Sequence, residues 1–399
     1  MDKRLKRTRL KYLAWLYFLI TLAIPVSAYS RDFHWAGVGF LGDYSQRDSL
    51  YPISSRINEQ ELCEGVSCFE VYARNVFANK SLAGGTITLT QAEPGSNSIG
   101  VALGISYERV IVDKTGPAKK NGLDTITNFA IFGSLLFMDL DTNKLLGSVP
   151  SLIRYADASS GDLSDEKIYE YFKKLLTSNE LKLSFAMDAF DRAAKYRLPE
   201  SKVIRAQVTK SLTDEKPLGL LKMDASKVED WNLQMAQIFE MAVMSEMPVQ
   251  MLPSAVGHVV GGKLKTRLSS GDREISLPEP DVGIQLRLRK LVEIKKPNSA
   301  GTGKTRCFAS VVDISSSDAF GDSLFSHTLQ NISKCKFYAN EDRISVPISF
   351  EKSVFGLISK TAKAIANPDG SSKFFKKSSP KKSSQVKSDF EKLNKLVTN

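Results

Sequence analysis

Two long segments of the chain alternate apolar residues with polar or small ones, which is the period of a β-strand. In the first, Ile, Val, Leu, Ile and Tyr occupy positions 99, 101, 103, 105 and 107, with small residues between them. The strand continues to Val112, a loop rich in Lys, Gly and Pro follows, and a second apolar run extends over residues 126–138. Alternation followed by turn residues predicts a long β-hairpin.

The second segment repeats this layout. Apolar residues stand at positions 284, 286, 288, 292 and 294 with polar residues between them, and only Lys290 interrupts the alternation. The loop 295–305 and an apolar strand over 307–312 follow, and each hairpin ends in a hydrophobic-Asp-hydrophobic triplet. The similarity suggests an internal duplication, although hairpins also share turn chemistry without common ancestry.

Helical periodicity separates and follows the hairpins. Ser164 is placed to cap a helix with apolar residues at i, i+3, i+4 and i+7, and a second helix over 183–194 precedes Pro199. A third helix begins at Asp224 and ends near Met247, and shorter helices are predicted at 323–332 and 353–365. These patterns predict a mixed α/β or α+β fold of two modules, each built on a long antiparallel hairpin packed by helices.

The N-terminus has the composition of a targeting segment. A basic stretch precedes the apolar run 12–26, and Val26-Ser27-Ala28 fits a cleavage site, so residues 1–28 are predicted to be a cleaved bacterial signal peptide. An uncleaved anchor is the alternative. We then expect an N-terminal module at 29–200 and a C-terminal module at 201–369. A basic flexible tail at 370–399 should follow, because the Ser/Lys/Pro composition up to Ser384 predicts disorder. Val386, Phe390, Leu393 and Val397 have the spacing of a final amphipathic turn or two, although a frayed terminus is favoured.

The positive charge is concentrated at the two ends of the chain. The formal net charge is +11, of which the leader carries five and residues 371–399 carry six, so residues 29–370 are neutral overall. A nucleic-acid-binding domain carries its positive charge on the folded surface, so this class is not favoured. Lys376, Lys377, Lys381 and Lys382 of the tail are candidate contacts for an anionic partner.

The four cysteines have different meanings in an exported chain and in a cytosolic one. Cys63 and Cys68 are close enough to close a local loop, and Cys307 and Cys335 each border a strand-like run. In an oxidising compartment we expect disulfides 63–68 and 307–335 among the three possible connectivities, with buried free thiols as the alternative. No C-x-x-C pair is present, so a zinc ribbon is not indicated.

Residues 298–305, N-S-A-G-T-G-K-T, nearly match the phosphate-binding loop G-x-x-x-x-G-K-[ST]. That loop requires a helix to begin at its Lys-Thr, because the helix amides hold the phosphates. The residues after Thr305 instead alternate as a strand does, and Asn298 replaces the first glycine. We therefore interpret this stretch as a hairpin tip and expect no nucleotide cofactor.

Other candidate motifs also favour structural interpretations. Met241, Met244, Met247 and Met251 could hold Cu(I) but suit core packing, and the segment 139–143 suits a turn better than a calcium loop. The S-x-x-K stretches at 164–167 and 349–352 have no companion motif, and His34, His258 and His327 show no ligand spacing. The sequence therefore assigns no catalytic, cofactor-binding or metal-binding residue.

These observations favour an exported periplasmic or envelope protein that acts by binding or assembly rather than by catalysis. The expected partner is an envelope protein or an anionic envelope polymer rather than nucleic acid or a nucleotide, and self-association stays open. One alternative is an oligomeric outer-membrane secretion or assembly component whose long hairpins meet lipid. Another is an envelope hydrolase with a site assembled from distant residues.

Overall fold

The computed structural model describes residues 32–42, 44–78, 80–82, 85–90, 98–114, 123–198, 204–247, 249–254, 259–260, 262–269, 271–297, 304–332, 335–338 and 345–398. Within these residues the protein is a mixed α+β fold with ten α-helices and three sheets, which confirms the predicted class. The predicted signal peptide, His258 and the tips of both long hairpins lie outside the described residues.

The first unit contains the first predicted hairpin as its central feature. Its strands are β1 (Phe33–Leu41), β2 (Leu62–Cys63), β3 (Val66–Ser67), β4 (Ser81–Leu82), β5 (Gly85–Thr88), β6 (Ile99–Lys114), β7 (Thr125–Asp139) and β8 (Lys144–Ser159). Its helices are α1 (Arg47–Leu50), α2 (Pro52–Gln60), α3 (Cys68–Phe77), α4 (Asp165–Thr177) and α5 (Phe185–Ala193). The turn predicted after β7 is present: Asp139 Oδ1 accepts hydrogen bonds from the amides of Asp141 and Thr142.

The second unit contains the second hairpin. Its strands are β9 (Arg205–Thr213), β10 (Gln250–Leu252), β11 (Val259–Val260), β12 (Lys263–Leu268), β13 (Gly271–Ser276), β14 (Val282–Pro297), β15 (Lys304–Asp318), β16 (Ser323–Ile332) and β17 (Lys336–Tyr338). Its helices are α6 (Glu215–Leu221), α7 (Val228–Met244), α8 (Val346–Ala366), α9 (Ser372–Ser378) and α10 (Ser383–Thr398). Ile294 pairs with Cys307 across this hairpin.

The first sheet closes on itself. β1 runs parallel to β6, and β6, β7 and β8 form an antiparallel meander. Strands β12 and β13, which belong to the second unit in sequence, complete this first sheet. β8 pairs with β13, β13 pairs with β12, and β12 pairs with β1. The ring encloses a small apolar core to which each of its strands and also β10 contribute: Leu41, Ala102, Leu136, Met138, Leu145, Leu252, Leu264, Leu268 and Ile275. The small residues on one face of β6 permit this closure, since a Cβ on Gly104 would lie 2.3 Å from the Leu41 side chain.

The second sheet has the strand order β10–β9–β14–β15–β16, with β17 beside β15. β9 runs parallel to β14, which begins a second antiparallel meander of three strands. Each unit therefore contains a strand, a connection that includes helices and short strands, and a parallel strand that starts a meander. This shared topology extends the layout predicted from the two hairpins, and it does not by itself show a duplication of the sequence.

Several predicted helices begin where a polar side chain caps them. The Ser164 and Ser184 hydroxyls accept hydrogen bonds from the amides of Lys167 and Met187, at the starts of α4 and α5. Ser345 accepts one from the Ile348 amide at the start of α8. Each bond satisfies an amide that the helix leaves without an internal partner. Three of the predicted helices are therefore present, and the predicted cap at Ser164 is confirmed; α8 begins at Val346, seven residues before the predicted start at Ser353.

Helix α7 lies between the two sheets and is buried on nearly all of its surface. It contacts β8 of the first sheet, β9 of the second, and α8 beside it. Its polar residues reach both sheets: Gln237 donates to Ser106 on β6, and Asn232 accepts from Thr213 on β9. A helix apolar on one face only would suit the surface, whereas this helix forms a central layer.

Both faces of the β6–β7–β8 meander are covered by helices. Phe129 on one face packs with Phe172 of α4, at 5.9 Å between ring centroids, and α5 contacts β8. The opposite face encloses the small core of the ring at one end of the strands and lies under α7 and α8 at the other end. If the protein were an outer-membrane component, one face of these strands would contact lipid. The helices that cover that face would then have to move away from the sheet.

Two predictions about the second unit are wrong. Residues 323–332, predicted as a helix, form strand β16. Its buried residues Phe325, His327 and Leu329 alternate with exposed ones, and a separation of four residues between apolar positions satisfies both a helical and a strand period. The segment pairs with β15 along nearly its whole length, and this pairing favours the strand over the helix.

The predicted flexible tail at 370–399 is also wrong, since most of it folds as α9 and α10. Val386, Phe390, Leu393 and Val397 follow helical spacing and are all buried, and Phe375 of α9 joins them. The Phe390 ring lies 5.4 Å from Phe325 of β16. The overall composition predicted disorder because Ser and Lys are abundant in this segment. The few apolar residues nevertheless all lie on one face of the helix, and this face is buried.

The contact between β16 and α10 should make stability depend on pH. His327 Nε2 lies 3.2 Å from Asp389 Oδ2, and burial lowers the pKa of His327 below 6.5 although Asp389 opposes the shift. At this histidine the unfolded chain therefore binds a proton more readily, so the contribution of His327 to stability is complete above about pH 6.5 and decreases as the pH falls below it. Buried Glu108 and Glu240 have raised pKa values and act with the opposite sign, but they are present in both the wild type and a His327→Gln variant. In urea unfolding from pH 7.5 to 5, the wild type should therefore lose stability relative to His327→Gln as the pH falls. Equal pH slopes in the two proteins would contradict this expectation.

Candidate functional site

A cavity of about 550 Å³ lies between the first sheet and the central helices. Its floor is the face of β6, β7 and β8 that looks toward α7 and α8, and these two helices form its roof. The side chains that line it include Arg109, Ile111, Asn128, Ala130, Phe132, Leu152, Arg154, Gln234, Ile238, Met241, Ile348, Glu351, Lys352, Phe355 and Ser359. Pockets of this size and mixed lining are typical of small-molecule sites.

Strand register determines the floor. Arg109 of β6 pairs with Ala130 of β7, and Ala130 pairs with Arg154 of β8. Tyr107, Phe132 and Leu152 form the row on one side, and the row on the other side is Ile111, Asn128 and Ala156. Since every second residue of a strand faces the same way, these rows share one face. Two guanidinium groups therefore flank the small methyl group of Ala130.

Helical spacing determines the roof. Gln234, Ile238 and Met241 of α7 are separated by four and three residues, and α8 contributes residues 348, 351, 352, 355 and 359 at similar intervals. Such positions lie on one side of a helix. The roof thus combines apolar and aromatic side chains with Glu351 and Lys352.

The two arginines of the floor have different partners. Arg109 forms an ion pair with Glu351 at 2.9 Å and donates a hydrogen bond to Gln234 Oε1 at 3.2 Å, so it joins floor to roof. The Arg154 guanidinium stands over the Phe355 ring at 5.6 Å and keeps contact with solvent, because the cavity is open. Desolvation by the cavity walls lowers the pKa of Arg154, and Glu351 opposes this effect.

Asp113 lies one row beyond the cavity, at the end of β6. Burial raises the pKa of its carboxyl group, while Lys352 on α8 and a hydrogen bond from Ser345 lower it. The charge of Lys352 is therefore offset by a nearby carboxylate. Neither Lys352 nor Arg154 forms a direct ion pair among the described residues, and of these two cations only Arg154 belongs to the floor of the cavity.

The four lysines predicted from sequence lie close together in the chain, Lys376 and Lys377 on α9 and Lys381 and Lys382 in the turn that leads to α10. Lys376, Lys377, Lys381 and Lys382, with Lys373, are all exposed around the connection between α9 and α10, and we call these five residues the lysine surface. In the described part of the chain none of them lies within ion-pair distance of a carboxylate, whereas Lys387 and Lys392 do. The buried apolar face of these helices fixes the positions from which the five lysines project.

The four cysteines form the two disulfides that their spacing favoured. Cys63 is bonded to Cys68 at the β2–β3 turn, and Cys307 of β15 is bonded to Cys335, which precedes β17. The first bond ties the end of α2 to the start of α3. The second holds β17 beside β15, where Lys304, Thr305 and Arg306 pair with it.

The remaining sequence motifs do not converge on one site. Met241, Met244 and Met247 do line a common second cavity of about 510 Å³, and Met251 is buried apart from it. The Ser349 hydroxyl donates to the Ser345 carbonyl rather than to Lys352, and Ser164 is a helix cap. A strand, β15, begins at Lys304, where a phosphate-binding loop would begin a helix. Within the described residues, no group of three or more His, Cys, Asp or Glu side chains is placed to hold a metal.

Sequence reasoning missed Arg109 and Arg154. Both are basic residues within strands that are otherwise largely apolar, which is a signal that could have been noticed. Their proximity could not be deduced, because it depends on the register of three strands and on two helices from the other unit.

Comparisons with known proteins add little. No protein-family model matches the chain, and no curated protein matches it. A hypothetical protein from Chlamydia trachomatis is 10% identical with a TM-score of 0.24, and the match covers 42% of this chain and 100% of that one. A minor lipoprotein from Acinetobacter baumannii is 9% identical with a TM-score of 0.21, covering 44% and 97%. At TM-scores this low the likeness carries no argument about fold or function.

Two further findings bear on location. Within the described part of the chain, none of the helices combines the length and the apolar character needed to cross a membrane. The two disulfides are consistent with an exported protein, because such bonds persist in oxidising compartments and are rare in the cytosol.

Proposed function

We propose that the protein is an exported bacterial envelope protein, located in the periplasm, that acts by binding or assembly rather than by catalysis. Its partner is an anionic envelope polymer or an acidic envelope protein. The two disulfides support export, and the composition of the first 28 residues agrees with it.

The observation that carries this proposal is the lysine surface. Its five cations lie within residues 373–382 and have no acidic partner in the described structure, although other lysines of the same helices do. Because a folded helix and the turn after it present these lysines, binding orders less of the chain than it would in a flexible tail. Attraction between exposed charges acts over roughly 10 Å at 0.1 M salt, so the association should weaken as salt is added.

Replacing Lys376, Lys377, Lys381 and Lys382 by glutamine should abolish association with isolated bacterial envelopes at low salt. The substitutions remove four of the five charges from an exposed surface, so the fold should be retained, since exposed substitutions change stability by about 0.5 kcal/mol or less each. Sedimentation of purified mature protein with envelopes at 50 and 300 mM salt measures the effect. These concentrations lie below and above about 0.1 M, where the Debye length is roughly 10 Å.

A matched control carries the same change in net charge elsewhere. Lys144, Lys210, Lys216 and Lys290 are also exposed but are scattered over both units. Their glutamine variant should sediment with envelopes as the wild type does and be released by salt. If the lysine-surface variant sediments like the wild type, or if both variants lose binding equally, the proposal is wrong.

A further inference from the structure

The cavity between the first sheet and helices α7 and α8 has the features of a second binding site, distinct from the lysine surface. Its volume of about 550 Å³ lies within the range of small-molecule pockets, and its walls are mainly apolar and aromatic with a few convergent polar groups. We propose that it binds a monoanionic amphiphile, an organic carboxylate with an apolar body, whose carboxylate is held by Arg154.

The charges of the cavity determine the sign of this ligand. Three of the lining side chains are cationic and one, Glu351, is anionic. Arg109 forms an ion pair with Glu351 at 2.9 Å. Lys352 forms no direct ion pair, and its charge is opposed by the carboxyl group of Asp113, which lies just beyond the cavity. Arg154 remains as a single excess positive charge, so a ligand with one negative charge would balance the site.

The chemistry of Arg154 determines the kind of head group. A guanidinium is planar and presents parallel N–H groups that match the two oxygens of a carboxylate. Arg154 is exposed to solvent at the cavity and stays charged although the cavity walls lower its pKa. Its contact with the Phe355 ring holds one face of the guanidinium and leaves its edge free to donate. The neighbouring Ala130 is too small to cover this edge.

The remaining walls determine the body of the ligand. Phe132 and Leu152 continue the floor beyond Ala130, and Ile238, Met241 and Phe355 form the roof above. Met side chains adapt their shape to apolar partners of different form. The site therefore suits a flexible aliphatic or small aromatic body rather than a second polar group.

Binding of sodium dodecanoate, measured by calorimetry on the purified protein, tests this inference. Dodecanoate should bind saturably, whereas dodecanol and dodecyltrimethylammonium, which have the same chain and no negative charge, should bind at least tenfold more weakly. Arg154→Met keeps an unbranched, flexible side chain but removes the charge and the N–H donors, and it should weaken dodecanoate binding about ten- to a hundredfold. It should leave the weak binding of dodecanol unchanged.

Two further variants serve as tests of the location of the site. One fills the cavity beside Arg154 without changing the charge, and the other removes an arginine that lies outside the cavity. Ala130→Leu fills the floor between the arginines and should weaken dodecanoate without changing the charge. Arg56→Met removes another arginine that is stacked on an aromatic ring, at 4.2 Å from Tyr169 and outside the cavity, and it should bind as the wild type does. Melting temperatures of the three variants check that each is folded.

The proposal is overturned if dodecanoate shows no saturable binding, if the cationic analogue binds equally well, or if Arg154→Met binds dodecanoate like the wild type. It does not depend on the lysine surface, because the two sites share no residue. The four-lysine variant should bind dodecanoate normally, so failure of one proposal leaves the other to be judged separately.

Discussion

Replacing Phe390 by alanine is expected to lower the free energy of unfolding by about 3–5 kcal/mol. Phe390 is fully buried, and its ring lies 5.4 Å from Phe325 of β16 and 5.7 Å from Phe375 of α9. Removal of the ring leaves a space where the sheet and both C-terminal helices meet. Urea-induced unfolding followed by circular dichroism measures the loss.

Leu396 is the matched control for this change. It lies on the same helix but is 40% exposed, so Leu396→Ala should change the free energy of unfolding by about 0.5 kcal/mol or less. If Phe390→Ala unfolds at the same urea concentration as Leu396→Ala and the wild type, then residues 383–398 do not form part of the folded core.

Removal of the Cys307–Cys335 disulfide is expected to have a comparable effect. The bond joins residues 28 apart in sequence, and the chain-entropy model then gives a stabilisation of about 3.5 kcal/mol. The Cys63–Cys68 bond spans only five residues and should contribute about 2 kcal/mol on the same model. Urea unfolding of the two double-alanine variants therefore should show the larger loss for Cys307 and Cys335.

A reducing agent provides the control for this comparison. Dithiothreitol should destabilise the wild type by an amount close to the sum of the two losses, and it should not affect a variant in which all four cysteines are alanine. A larger loss for the Cys63–Cys68 pair would contradict the entropic explanation. No loss for either pair would show that the bonds do not form in the purified protein.

Local signals in the sequence predicted most of the long elements. Both hairpins are present, and Ser164 caps the helix that its position indicated. The strand β8 was not predicted, although it continues the first meander for 16 residues. Turn residues and caps act within a few positions, so they can be recognised without knowledge of the fold.

The errors occurred where apolar residues are few or satisfy two periods at once. Residues 325 and 329 fit a helix as well as a strand, and pairing with β15 selects the strand. An isolated helix of the length of α10 is marginal in water, so its sequence could not show that it folds. Contacts of Phe390 and its neighbours with β16 and α8 stabilise it.

The sequence by itself determined the class of fold, the two hairpins, the cysteine pairs that form disulfides and the location of the excess positive charge. Only the tertiary structure decided that the tail is folded and that Arg109 and Arg154 meet under α7 and α8. The physical reason is that capping, turns and alternation depend on neighbours in sequence. The cavity depends on strand register across Ala130 and on helices more than 70 residues away from Arg154 in the chain.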